Sequence, residues 1–254
     1  MTDDIVSLNP TARFSNRAEN YVKYRPSYPG AIIPFLEKNI GLQKDQRVAD
    51  IGSGTGLFSE LLLKNGYAVV GIEPNEEMRK AAEKRLADFP GFTSPNHRAE
   101  QTGLRSASAD LITVAQAFHW MEPGPTKKEF LRILKPGGHI VLAWNIRLSH
   151  TPFLKAYEEL KHGHSIDNKS ARMVSEDAIR SFYDPMQMKL QSFDNVQMLD
   201  FEGLKGQLLS SSYIALPGHP KYDQMIEELV QLFVKYNENG FLKMEYETKL
   251  YFNG

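Results

Sequence analysis

Asp50-Ile-Gly-Ser-Gly-Thr-Gly56 is the stretch that decides how this chain is built. It follows a short apolar run, Arg47-Val-Ala-Asp-Ile51. It precedes Leu57 to Asn65, where Phe58, Leu61 and Leu62 recur at helical spacing before Gly66. Glycines at 52, 54 and 56 let the backbone turn sharply and approach a ligand with no Cβ in the way. Strand, glycine turn and helix together predict a βα unit. Ligands of open α/β sheets sit beyond the carboxyl ends of such strands.

Outward from the loop the same alternation continues. Ala68 to Ile72 reads as a second strand, and Asn75 caps a helix from Glu76 to Asp88 with acids at its start and bases later. Phe92 to Arg98 is a weaker third strand, and Ala109 to Ala117 a fourth. A helix over Lys127 to Leu134 is stopped by Lys135-Pro-Gly-Gly138, and a fifth strand follows at His139 to Ile146. Upstream, Ser15 caps a helix through about Tyr24, the prolines at 26 and 29 make a turn, and Ala31 to Ile40 is helical. Downstream, Phe153 to His162 reads as a helix and Lys161 to Lys169 as a polar loop. Phe193 to Phe201 is a half-exposed strand, Met225 to Tyr236 an amphipathic helix, and Lys243 to Phe252 a last alternating strand.

Strands apolar on both faces, separated by amphipathic helices, indicate parallel β/α/β units. The expected fold is α/β: a Rossmann-like, doubly wound, mostly parallel seven-stranded sheet with helices on both faces and an inserted helical cap. One domain is expected over residues 1–254. Residues 1–44 form an N-terminal cap segment, 45–148 the ligand-binding core, and 149–254 the sheet edge plus a cap insertion.

Composition narrows the functional classes. The chain has 254 residues, 30 Lys and Arg against 31 Asp and Glu, and no cysteine. Zero cysteine excludes disulfides, thiolate zinc sites, iron–sulfur clusters and a cysteine nucleophile. Near-neutral charge argues against a nucleic-acid or anionic-membrane footprint. The first residues lack the basic and apolar regions of a secretion leader, so a cytoplasmic protein is expected. His162, His164 and Asp167 lack the further ligands of a metal site, and none is expected.

The chemistry of the loop separates candidate ligands. A dinucleotide fingerprint needs glycine at position 57, where the chain has Leu57. Asp50 puts a carboxylate at the mouth of the loop, where a pyrophosphate would be repelled. A cofactor with a cationic amino group and no phosphate fits better, and S-adenosylmethionine is one. Glu73, in Gly71-Ile-Glu-Pro-Asn75, ends the second strand, where a carboxylate accepts both hydroxyls of a ribose.

Residues 45–147 resemble the class I S-adenosylmethionine-dependent methyltransferases. Five stretches carry the likeness in order: Val48 to Gly56, Gly71 to Asn75, Ala99-Glu100 before Gln101-Thr-Gly-Leu104, Asp110 to Gln116, and Leu134 to Gly138. Tyr24-Arg-Pro-Ser-Tyr-Pro29, Gln116-Ala-Phe-His-Trp120 and Tyr246-Glu-Thr248 are similar to the small-molecule branch that includes trans-aconitate methyltransferase-like proteins.

The resemblance implies a role for each motif. The backbone of Gly52, Ser53, Gly54 and Gly56 holds the methionine end of the cofactor, and Asp50 meets its amino group directly or through water. Glu73 holds the ribose, bordered by Pro74 and Asn75. Ala99 and Glu100 contact adenine, and Ala115 and Gln116 lie beside the methionine moiety. Arg17 and Tyr21 share a helical face with Tyr24, and the segment they occupy folds over the cofactor in related enzymes. Arg17 and Arg25 then pair with the cofactor carboxylate or an acidic substrate.

His119 is placed to take a proton from a hydroxyl, amine or acidic carbon, or else orients the loop beside Trp120. Phe118 and Trp120 cover the sulfonium or line the acceptor pocket. Tyr24 and Arg25 complete the substrate side. The expected activity is methyl transfer to a small molecule, at a carboxylate or hydroxyl. A cofactor-binding scaffold without catalysis and an NAD-dependent oxidoreductase remain as alternatives.

Overall fold

The structure is a computed structural model that describes residues 23–166 and 174–254. Helices α1 (Ile32–Asn39), α2 (Leu57–Lys64) and α3 (Glu76–Arg85) alternate with strands β1 (Arg47–Ile51), β2 (Ala68–Ile72) and β3 (Phe92–Thr93). Strand β4 (Ala109–Ala115), a 3-10 turn over Phe118–Trp120, α4 (Pro123–Ile133) and β5 (Leu134–Arg147) follow. The remainder is α5 (Pro152–Gly163), α6 (Glu176–Tyr183), β6 (Met188–Leu199), α7 (Phe201–Leu209), α8 (Tyr222–Tyr236) and β7 (Leu242–Asn253).

The seven strands form one sheet in the order β3-β2-β1-β4-β5-β7-β6. β1 to β5 pair in parallel, and β7 runs antiparallel to both of its neighbours. Strand order reverses between β1 and β4. This switch point opens a crevice at the carboxyl ends of the strands. The doubly wound, mostly parallel Rossmann-like sheet is the one expected.

Apolar layers cover the sheet on both sides. One packs Phe130 and Ile133 of α4 and Ile179, Phe182 and Tyr183 of α6 against Ile51, Ile112, Val114 and Ile140. The other packs Ile32, Ile33 and Leu36 of α1 and Phe58 and Leu62 of α2 against Val48, Val69 and Leu111. Each fully buried aliphatic side chain contributes about 1.5–3 kcal/mol. A third cluster joins α5, α7 and α8 over the end of β7, through Tyr157, Leu204, Leu208, Leu229 and Met244. It forms the cap. Residues after 149 thus supply both sheet edge and cap.

Several boundaries differ from the sequence reading. The third strand shrinks to Phe92–Thr93, because Pro95 and the polar residues after it offer the ladder nothing to bury. Helix α4 begins at Pro123, a residue suited to a first turn. Lys135-Pro-Gly-Gly138 does not end the strand pairing: β5 includes it, with a register shift opposite Ala109 to Leu111.

Helices α6 and α7 are additions, each capped by a side chain that accepts from the helix backbone, Ser175 from Ala178 N and Asp200 from Gly203 N. The polar loop expected from Lys161 is partly the last turn of α5, with Lys161 and His164 buried. His164 Nε2 lies 2.8 Å from a Glu228 carboxylate oxygen. The helix expected from Ser15, and Asp167, fall outside the described residues, apart from a helical end at residues 23–24. Among the described residues no helix is long and apolar enough to cross a membrane.

Candidate functional site

The crevice is a cavity of about 660 Å³, within the roughly 300–1,000 Å³ range of small-molecule sites. It runs from the glycine loop to the cap. At its first end the loop turns through three glycines with φ of +68°, +56° and +79°. A Cβ on Gly52 would lie 2.6 Å from Ala117 Cβ, so the close approach of the two loops requires glycine there.

The loop is pinned from β2. Gly52 N and Ser53 N donate to the Ile72 carbonyl at 2.7 and 3.2 Å. Gly54 N donates to Glu73 Oε2 at 2.9 Å, and Asn75 N to Glu73 Oε1 at 2.8 Å. Glu73 is buried, and burial raises its carboxyl above the usual range while those two amides oppose the rise. Each oxygen accepts one backbone bond, and a carboxylate has about four acceptor positions, so capacity remains toward the cavity.

Gly52, Gly54, Glu73, Pro74, Asn75, Ala99, Glu100, Ala115, Gln116, His119, Trp120 and Arg25 all line the cavity. The structure therefore brings together most of the residues singled out from the sequence. Asn75 also caps α3 through Met78 N. Glu100 accepts from Glu122 N at 3.1 Å. The neighbouring Thr102 is fixed by Glu129, which receives both its amide and its hydroxyl. Arg132 and these bonds hold the Glu129 carboxyl down at about 2. Gln116 adopts φ +57° and donates to the Asn145 carbonyl at 3.0 Å.

Five expected site residues stand elsewhere. Asp50 is fully buried and does not line the cavity. Its oxygens accept from Ser59 Oγ at 2.6 Å and Thr113 Oγ1 at 2.8 Å, so it ties α2 and β4 to β1. Burial pushes its carboxyl up to about 6. Ser53 is also buried behind the loop, and Gly56 packs toward Leu86. Phe118 turns away from the cavity, edge-on to Trp144 and Phe182 at 6.3 and 4.6 Å, because the apolar layer under β4 takes it. Tyr24 lies against the bare Cα of Gly206 on α7. Arg17 and Tyr21 fall outside the described residues.

His119 keeps its place on the wall, its ring 4.8 Å from that of Trp120. Burial, with the Arg25 charge nearby, pulls its imidazole down to about 4. It is therefore neutral at pH 7. The opposite wall holds residues to which sequence reasoning gave no site role: Arg147, Glu158, Lys161, Gln207 and Tyr246, the last quoted only for the family resemblance. Of the Ser210-Ser-Ser-Tyr213 stretch, Ser211, Ser212 and Tyr213 reach the cavity, whereas Ser210 caps α7. No spacing rule links these positions. They lie on α5, α7, the loop after it and the ends of β5 and β7.

Residues 49–142 match the family model described as a methyltransferase domain. An uncharacterised methyltransferase of Mycobacterium tuberculosis is 35% identical over 134 residues, which cover 53% of this chain and 52% of that protein. The chain thus spans about half the length of the relative it matches. A solved structure from Anaeromyxobacter dehalogenans, described as a type II methyltransferase, superposes with a TM-score of 0.69 at 20% identity, covering 91% of this chain and 97% of that one.

A phosphoethanolamine N-methyltransferase from Haemonchus contortus, solved with phosphomonomethylethanolamine and S-adenosylhomocysteine, gives 0.58 at 14% identity. It covers 97% of this chain and 58% of that one. The chain shares its fold with these two solved methyltransferases. Residues 49–142 are thus similar in sequence to methyltransferase domains.

Proposed function

We propose that the protein transfers a methyl group from S-adenosylmethionine to a small-molecule acceptor, at a carboxylate or hydroxyl oxygen. One observation carries this reading. A single cavity joins the Gly54–Glu73 corner, built for an uncharged polar ligand edge, to a polar chamber under the cap. Membership of the small-molecule branch, and a single domain over residues 1–254, belong to the same proposal.

When bound, the cofactor supplies a methyl already activated by positive sulfur. The chain's residues then have three tasks. Glu73 accepts the ribose hydroxyls, with Pro74, Asn75, Ala99 and Glu100 beside the adenine and the Gly52 and Gly54 backbone beside the methionine end. Ala115 and Gln116 fix the sulfur region, and Trp120 excludes water. Alignment of donor and acceptor can supply about 7–11 kcal/mol of the barrier in such a displacement. For a hydroxyl acceptor, the neutral imidazole of His119 takes the proton as the new O–C bond forms. A carboxylate acceptor needs no such step. Asp50, Ser53 and Gly56 support the loop from behind.

Calorimetry with S-adenosylhomocysteine tests the donor side: micromolar binding is expected, and none at high micromolar concentration overturns the proposal. A metabolite panel scored by S-adenosylhomocysteine formation tests turnover. Binding without turnover across acids and alcohols would leave a scaffold in place of an enzyme.

A further inference from the structure

At the cap end of the cavity, α5 and the ends of β5 and β7 enclose charged and phenolic groups that methyl transfer itself does not require. Lys161 lines the cavity with 5% of its surface exposed. Among the described residues its ammonium makes no hydrogen bond and no ion pair within 4 Å. Its neighbours are aromatic faces, Tyr213 at 5.1 Å and Tyr157 at 5.9 Å from Nζ to ring centroid. Nearby, Arg147 Nε donates to Glu158 Oε1 at 2.5 Å. Arg25 donates to the Ser210 carbonyl at 3.2 Å.

Glu158 is the carboxylate beside Lys161 that lines this end of the cavity. The carboxylate is matched to Arg147. An enclosed ammonium without a counter-ion is unfavourable, because burial strips its hydration and nothing replaces it. Burial and the Arg147 charge pull Lys161 down to about 7. Tyr246 Oη accepts from Gln207 Nε2 at 2.6 Å, which leaves the phenol proton to donate elsewhere. Burial pushes that phenol up to about 12, so it stays protonated.

We propose that Lys161 anchors an anionic oxygen group, a carboxylate or a phosphate, on the methyl acceptor. Arg147, Arg25 and the Tyr246 phenol stand beside it. The inference rests on the methyl-transfer reading and specifies its acceptor: a small anion whose charged group sits under the cap while another atom faces the donor. The bound anion supplies the missing counter-charge, so capture near neutral pH is accompanied by proton uptake at Lys161.

The test is calorimetry with malonate and with inorganic phosphate, on protein with and without S-adenosylhomocysteine. One of the two anions is expected to bind, and which one distinguishes carboxylate from phosphate. Lys161→Met should weaken it by at least about tenfold, as expected for loss of a charged hydrogen bond. Lys161→Arg should keep most of the affinity, and neither variant should alter binding of S-adenosylhomocysteine. In the unmodified protein, affinity should fall as pH rises from about 6 to about 8.5, and this decline should vanish in Lys161→Arg.

No binding of either anion at millimolar concentration overturns the proposal, as does full affinity in Lys161→Met. If Lys161→Met does not fold, the pH series on the unmodified protein decides, and a flat series overturns it. Failure of S-adenosylhomocysteine to bind overturns the methyl-transfer reading instead, while the anion titration of unliganded protein still decides on Lys161.

Discussion

At the β1–β2 end of the cavity the walls are backbone amides and the Glu73 carboxylate. At the α5–β7 end they are Arg147, Lys161 and phenols. The bonds that build the first end are short in sequence: Gly54 to Glu73 spans 19 residues and Asn75 to Glu73 two. At the second, beside the local Arg147–Glu158 pair, the bonds reach farther: Gln207 to Tyr246 spans 39 and Arg25 to Ser210 spans 185. A site made of local backbone geometry serves a constant ligand. A site made of convergent side chains changes its specificity by single substitutions, with the sheet left alone. Between the two stand residues that look like site residues in sequence and belong to the core, Asp50 and Phe118.

The comparison can be broken first at Phe118. Phe118→Ala should lower unfolding stability by about 3–5 kcal/mol in a denaturant titration, because it empties an aromatic layer. Affinity for S-adenosylhomocysteine in the folded protein should change little. A large affinity loss with unchanged stability would return Phe118 to the site.

Glu73→Ala should weaken S-adenosylhomocysteine by about 1–3 kcal/mol, measured by calorimetry, since it removes charge-assisted acceptors. Malonate or phosphate affinity should be unaffected. Coupled losses of both ligands would mean that the two ends are not separable.

Gly206→Ala probes the cap from its long-range side. The added Cβ would lie 2.0 Å from the Tyr24 ring. The whole Tyr24 ring must move to make room, so a loss of about 1–3 kcal/mol is expected, read as a lower melting temperature. Cofactor affinity should hold.

The mildest effect is a change in slope with pH. His119 is held neutral in the folded state down to about 4, whereas in the unfolded chain it takes a proton near its ordinary value of about 6.5. Between these values the unfolded state binds more protons, so stability falls as pH falls from about 6.5 to about 4. Asp50 acts oppositely. Its folded carboxyl takes a proton near 6, earlier than in the unfolded chain, which offsets part of the loss. His119→Gln should lose less stability over this interval than the unmodified protein in denaturant titrations at stepped pH. An identical slope would mean that the imidazole is not held neutral.

Much of this architecture could be read from the chain alone. Val48 to Ile51 and Ala68 to Ile72 are apolar on both faces, and parallel strands covered by helices demand that. Gly66 marks a helix end with a φ of +84° that favours glycine, and Asn75 marks a helix start with a side chain that accepts from Met78 N. Helices α6 and α7 were hidden for a different reason. Each is short, and Gly203 and Gly206 sit within α7, where the propensity signal is poor. Their existence depends on packing Ile179 and Phe182 under the sheet and Leu204 and Leu208 under the cap.

At the site, Glu73 and the glycine loop were legible because strand, turn and acid are neighbours in sequence. The inward turn of Asp50 was not. Residue type alone leaves open which face of a buried strand end it uses, and Ser59 and Thr113 decide it from α2 and β4. Sequence by itself therefore determined the doubly wound sheet, its glycine turn and the acid that closes the turn, since these follow from backbone conformation and local hydrophobic period. Only the tertiary structure decided which acids and aromatics face the cavity, and that Lys161, Arg147 and Arg25 share one chamber. Burial and charge at a point in space are set by residues far apart along the chain.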